Sequence, residues 1–142
     1  MSALGLKIID ESVQQANTWI NEVDYRAGLV SKQKAYRMLR AVLQALRDHL
    51  TPDEAAQLSA QLPIFVRGVY YEGYDPSKTP VVERSRAGFL ARVAEVHGPG
   101  LPDDVDAAVA AVFDVLDAHV SPGEMAQVRA SFTAPIRALF AD

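Results

Sequence analysis

Three histidines, a run of tyrosines and a basic helix face are the parts of this sequence with side chains suited to chemistry. His49 and His119 stand 70 residues apart in similar surroundings, and two imidazoles are a start toward a metal site. Neither has a histidine or carboxylate three or four residues on with a suitable facing. The nearest carboxylates, Asp53 and Asp117, stand across a helix break or one turn off ligand spacing, so both histidines read as structural helix-end residues. His97, beside Gly98-Pro99-Gly100, reads as a loop residue. That glycine pair lacks the lysine and helix of a phosphate loop, and no serine or threonine has a base at a useful spacing. No catalytic residue, metal or cofactor is expected.

Arg67, Tyr70, Tyr71, Glu72, Tyr74 and Asp75 crowd into one short segment. Tyrosines beside charges make a candidate binding surface, since tyrosine offers large contact area at low entropy cost. The plainer reading packs the tyrosines over a junction while Glu72 and Asp75 fix a turn that Pro76 ends. Arg67 and Arg137 occupy equivalent positions, where a cation serves a helix C-terminus better than it marks an anion site.

Charge divides unevenly along the chain. Residues 1–71 hold eight Lys or Arg and seven Asp or Glu, a net +1; residues 72–142 hold six and eleven, a net −5. The contrast concentrates on one helix, where Lys34, Arg37, Arg40 and Arg47 are expected on the outward side. Their equivalents 70 residues on are Asp104, Ala107, Ala110 and Asp117, with Gln44 matched by Asp114. These are candidate association faces. A basic face can contact phosphates, but the acidic twin and a total of −4 argue against a dedicated nucleic-acid binder.

The elements that must position these groups follow from a repeat. His49-Leu50-Thr51-Pro52-Asp53-Glu54-Ala55-Ala56-Gln57 pairs with His119-Val120-Ser121-Pro122-Gly123-Glu124-Met125-Ala126-Gln127 without a gap. Residues 12–70 and 82–140 therefore read as two copies of a three-helix unit around an aromatic linker, 71–81. The first helices carry Val13, Ala16, Trp19, Ile20 and Val23, and Phe89, Leu90, Val93 and Val96, at spacings of three and four. Gly28 and Gly98 follow, where a helix end favours positive φ. In the second helices Leu39, Val42, Leu43, Leu46 and Leu50 match Val109, Val112, Phe113, Leu116 and Val120; Pro102 to Asp106 fit the first turn of the second copy. Thr51 to Glu54 and Ser121 to Glu124 each read as a capping box opening the third helix. Pro63 and Pro135 then kink or split that helix, at positions that do not correspond, so the copies are expected to bend differently. The expected fold is all-α, a bundle of about six helices forming a single domain over 1–142, because half the chain alone is marginal in size.

An apolar content of 49% with 23% charge is ordinary for a globular protein. No cysteine is present, and residues 1–7 lack the basic start and apolar run of a secretory leader. No stretch approaches the ~18 apolar residues of a membrane span. A cytoplasmic location is expected, with no membrane contact.

The stretches Leu39 to Leu43, Ala45 to Asp48, Thr51 to Ala55, Gln61 to Pro63 and Arg67-Gly68-Val69-Tyr70-Tyr71-Glu72-Gly73-Tyr74-Asp75-Pro76 resemble a bacterial family of unknown function, family 2267 of that kind. The resemblance covers roughly residues 17–140, and Tyr74 stands where it implies tryptophan. It implies an all-helical cytoplasmic protein and supplies no activity. The leading expectation is a non-enzymatic interaction or adaptor protein whose partner is a protein, self or other. The alternatives are a small ligand bound or transformed in a cleft near the tyrosines, and nucleic acid on the basic helix.

Overall fold

The computed structural model describes residues 3–82 and 84–140. Residues 1–2 and 141–142 of the expected domain, and Glu83 of its expected second repeat, lie outside the described residues. Among the described residues there are eight α-helices and no strand: α1 (Lys7–Ala27), α2 (Lys32–His49), α3 (Pro52–Ser59), α4 (Ile64–Tyr71), α5 (Arg86–His97), α6 (Val105–His119), α7 (Pro122–Ala130) and α8 (Ala134–Arg137). A 3-10 turn, Pro76–Lys78, lies between α4 and α5.

Helix α2 is the axis of the bundle. It packs on α1, α4, α5 and α6, and every residue from Ala41 to Leu50 is buried. The ten apolar positions matched between α2 and α6 are all buried, Leu46 and Leu116 completely. One core cluster joins residues from Trp19 to Phe140 across both halves of the chain. The joint is crossed. His119, at the end of α6, stacks on Trp19 of α1 at 4.8 Å; His49, at the end of α2, packs on Phe89 of α5 at 5.1 Å. Trp19 and Phe89 are themselves 70 residues apart, so α6 ends against α1 and α2 ends against α5.

The helix starts follow local chemistry. Ser31, Ser85 and Asp104 cap α2, α5 and α6 by accepting from the amides of Lys34, Gly88 and Ala107. Helix α6 thus begins after Pro102 rather than on it, because the Asp104 side chain takes the orphan amide. Between α1 and α2, Gly28 closes α1 with φ 65°. The Lys32 ammonium 2.7 Å away, helped by the Ser31 amide, holds the Asp24 carboxyl below its usual range.

Several expectations are corrected. Among the described residues the helices number eight rather than about six, because the helices expected to run on from Thr51 and from Ser121 are each split. The splits fall 70 residues apart: Pro63 is the N-cap of α4 and Thr133 that of α8. Pro135 sits in the first turn of α8, where a missing N–H costs nothing. Each break exposes carbonyls that an arginine takes. Arg67 donates to Ser59 O and Leu62 O, both at 2.8 Å, and Arg137 to Phe132 O at 2.6 Å. His97 is no loop residue; it ends α5 and is buried, and its Nε2 has no hydrogen-bond partner among the described residues.

Of the two expected capping boxes, the one at Thr51 is complete. Thr51 Oγ1 accepts from the Glu54 amide at 3.2 Å, and Glu54 Oε1 from the Thr51 amide at 2.8 Å. Ser121 caps α7 the same way, but Gln61 replaces Glu124 as the returning group. Gln61 Oε1 accepts from the Ser121 amide at 2.7 Å and its Nε2 donates to Ser121 Oγ at 3.1 Å. The break between α3 and α4 therefore helps start α7.

Leu46→Ala is expected to cost about 2–5 kcal/mol, the range for deleting a buried leucine side chain; urea unfolding measures it, and a loss under ~1 kcal/mol contradicts this core. Ser121→Ala is expected to cost on the order of 1 kcal/mol. Because Gln61→Ala removes bonds to the same residue, the double variant should lose less than the two single losses together in the same titration.

Candidate functional site

The tyrosine segment is the end of α4 and its exit, laid on the polar side of α2. Tyr70 is buried, and its hydroxyl donates to Ala55 O at 3.0 Å. Burial holds its phenol well above the ordinary range. The Tyr71 hydroxyl donates to Ser59 Oγ at 3.0 Å, and Tyr74 pairs with Thr79 Oγ1 at 3.4 Å. Gly73 turns the chain at φ 72°. Asp75 starts the 3-10 turn by accepting from Ser77, whose hydroxyl and amide hold its carboxyl below the usual range. All three tyrosine hydroxyls are thus spent on groups of the chain itself, and Arg67 is spent on the break before α4. Glu72 remains largely exposed.

The basic residues of α2 do not form an outward face, which corrects their expected placement. Arg47 is 2% exposed. Its Nη1 donates to Tyr70 O and Glu72 O, both at 2.8 Å, its Nε to Asp48 Oδ1 at 2.8 Å, and its guanidinium lies over the Tyr74 ring at 5.1 Å. Gln44 donates to Val69 O at 3.0 Å. Arg40 reaches Val96 O at 3.2 Å and Glu72 at 3.4 Å; Arg37 reaches His97 O at 2.7 Å and Pro99 O at 2.5 Å. These side chains satisfy the carbonyls at the C-termini of α4 and α5. Of the four cations, only Lys34 is exposed. On the acidic side, Asp104 is a cap, Asp117 pairs with Arg129 at 2.6 Å, and Asp114 is half-buried.

The structure gathers residues that sequence reasoning passed over. Asp48 is buried between two arginines: Arg47 on Oδ1, and Arg92 of α5 on Oδ2 at 2.7 Å. That contact holds the Arg92 guanidinium above its usual range. Next to this triad, a cleft of about 370 Å³ opens among Arg47, Asp48, Arg92 and the segment from Gly73 to Val81. A signal existed for Asp48, a carboxylate one residue after Arg47 near the end of the apolar helix. Arg92 gave none, since its partner lies 44 positions away. A larger cleft, about 520 Å³, lies between α1 and the α3–α4 break beside Trp19 and His119. His119 Nε2 is 2.5 Å from Glu22 there. Among the described residues, no three His, Asp or Glu side chains converge as a metal site requires.

An apolar surface on α1 is left uncovered. Leu6, Ile9, Val13, Ala16, Ile20, Val23 and Ala27 recur at alternating spacings of three and four, a single seam along α1. Ala16 and Val23 are buried in the bundle. Leu6, Ile9 and Val13 are 48%, 38% and 53% exposed, which corrects the inward placement expected of Val13. The first turns of α1 run past the bundle and carry the seam with them; Leu4 and Ile8 beside them are also exposed.

Short helices crossed around a central α2, with helix ends held by arginines, define a small all-α protein. No helix among the described residues is long and apolar enough to cross a membrane. The model of the family described as uncharacterized conserved protein (DUF2267) matches residues 16–139, and the chain belongs to that family. No curated protein matches the chain.

Glu54 and Glu124 meet where α3 packs on α7. Burial first, and the Glu54 carboxylate second, hold Glu124 above the usual glutamate range. Burial pushes Glu54 up as well, but hydrogen bonds from Ser131 and Thr51 outweigh it and hold Glu54 below that range. A carboxyl raised on folding contributes stability below the ordinary glutamate value, and this is lost as pH climbs through the raised value. Glu54 runs the other way: its contribution is present above the ordinary value and lost as pH falls through its lowered one. Glu124→Gln is therefore expected to raise Tm at pH 7, with the gain fading as pH falls through the raised value and gone below the ordinary one, about 4.3. Thermal unfolding at stepped pH measures this, and a lower Tm at pH 7 would mean the Glu124 charge is favourable.

Proposed function

We propose that this chain is a non-enzymatic interaction protein whose contact element is the overhanging start of α1, and that its occupant is the same overhang of a second copy. The observation that carries the reading is the unbroken seam of α1, covered by the bundle only from Ala16 onward. A seam spaced by threes and fours fits another helix with the same spacing. An isologous pairing of two overhangs covers both exposed stretches in one contact. A run of exposed apolar side chains on a regular helix is a mark of association.

The basic and acidic faces that suggested a charge-driven contact do not support one, because Arg37, Arg40 and Arg47 are engaged within the chain. The contact proposed is apolar. We also read the halves as one three-helix unit used twice in a single domain. The crossed aromatic–histidine contacts, the matching helix breaks and the paired Arg67 and Arg137 support that reading.

Sedimentation over a range of concentrations tests the association. The wild type should form a dimer whose stability is indifferent to salt. Ile9→Glu with Val13→Glu should be a monomer of unchanged helicity, and Lys34→Glu should dimerise like the wild type. A wild type that stays monomeric at high concentration, or a dimer that salt dissolves, sinks the proposal.

A further inference from the structure

Gln14, Trp19, Gln61 and His119 line the cleft of about 520 Å³ between α1 and the α3–α4 break. Seventy residues from them stand Arg84, Phe89, Ser131 and His49, and these four also come together. His49 packs on Phe89 as His119 packs on Trp19. The Arg84 guanidinium bridges the other two: its Nη2 donates to Ser131 O at 2.5 Å and reaches His49 O at 3.5 Å. The Arg84 carbonyl accepts from Thr133 Oγ1 at 2.8 Å, which holds this residue at the break before α8. If the halves are one unit used twice, the two places are one constellation.

The first half has the same acceptors but carries glutamine where the second carries Arg84. Gln14 is exposed, neutral and shorter than arginine, and its side chain makes no hydrogen bond among the described residues. Gln61 O and His119 O accept none either. Both residues are exposed, where water can satisfy a carbonyl that lacks a protein partner. Arg67 serves the same break, but takes Ser59 O and Leu62 O instead. No lysine or arginine lines the cleft. The carboxylates beside it are paired, Glu11 with Lys7 at 3.6 Å and Glu22 with His119 at 2.5 Å. What draws a cation there is the ends of α3 and α6, since a helix C-terminus is the negative end of its dipole.

We propose that this cleft binds the guanidinium group of a small molecule, with Gln61 O and His119 O as the acceptors that Ser131 O and His49 O are for Arg84. The proposal rests on the reading of the halves as one unit used twice, and not on the α1 overhang. A guanidinium is what other helix ends of this chain take: Arg37 donates to His97 O and Pro99 O, and Arg47 to Tyr70 O and Glu72 O. Its planar fork of donors suits two splayed carbonyls better than the compact ammonium of a lysine. The cleft exceeds a guanidinium in volume and leaves room for a molecule the size of arginine.

Trp19 is the only tryptophan of the chain, so its emission reports on this cleft. The test is a fluorescence titration of the full chain with arginine, methylguanidinium and lysine, each against sodium chloride at equal ionic strength. Arginine and methylguanidinium should give saturable changes, and lysine should bind at least roughly tenfold more weakly. Gln14→Arg places the second half's residue in the first, at an exposed position that permits folding. It should raise Tm and abolish the response to both guanidinium compounds. A wild type with no saturable change, or one that binds lysine as tightly as arginine, overturns the proposal, as does a Gln14→Arg variant that still binds arginine like the wild type. A structure of Gln14→Arg separates the two ways of failing. Its guanidinium on Gln61 O, with no binding by the wild type, overturns the ligand and leaves the repeat standing. A guanidinium directed elsewhere overturns the equivalence of the halves.

Discussion

Helix ends govern this structure. Each α-helix leaves several carbonyls at its C-terminus without a partner inside the helix, and the eight helices among the described residues present many such ends. The bundle meets the demand with arginine. Arg37 and Arg40 serve the end of α5, Arg47 that of α4, and Arg67 that of α3. Arg137 serves the break after α7, and Arg84 reaches both Ser131 O and His49 O. A guanidinium carries five donors on a planar fork, so one side chain can hold two carbonyls of a splayed end. An unpaired buried carbonyl would cost about 1–3 kcal/mol, and a few such losses would consume much of the stability of a domain this size.

That constraint explains the charge asymmetry between halves. The cations of α2 look like a solvent face or a phosphate-binding stripe when counted along the helix. They are instead the donors that fix α4 and α5 to the axis. Helix α1 closes itself: Gly28 N and Leu29 N both return to Asp24 O. Asp48 belongs to the same arrangement. Buried between Arg47 and Arg92, it balances one arginine and ties α2 to α5, and removing it would strand a buried cation at a cost of several kcal/mol.

Interior and overhang differ in what holds them. From Ala16 onward the seam of α1 is covered by the rest of the chain, with Trp19 under the His119 ring. Before Ala16 the helix persists on its own local bonds, and its apolar side chains meet no other part of the described chain closely enough to be buried. The proposed contact between copies is thus apolar surface seeking cover, unlike the polar groups that helix ends hold in place.

What the sequence by itself determined is local or periodic. The helical class, the buried stripes of α2 and α6, the positive φ of Gly28 and Gly98 and the caps at Thr51 and Ser121 all follow from residues a few positions apart, where spacing and side-chain chemistry suffice. The splits after α3 and α7 were legible in part, because proline marks a break but not the arginine that mends it. The partners were decided by tertiary structure alone. Gln61 completing the cap of Ser121, Arg92 meeting Asp48 and the crossed packing of His49 and His119 join residues 40 to 100 positions apart. So does the burial of Arg47, which reads as a surface cation until α4 is seen to end against it. A one-dimensional pattern records which side of a helix a residue occupies. Whether that side meets water, a helix terminus or another helix depends on where distant segments of the chain are folded.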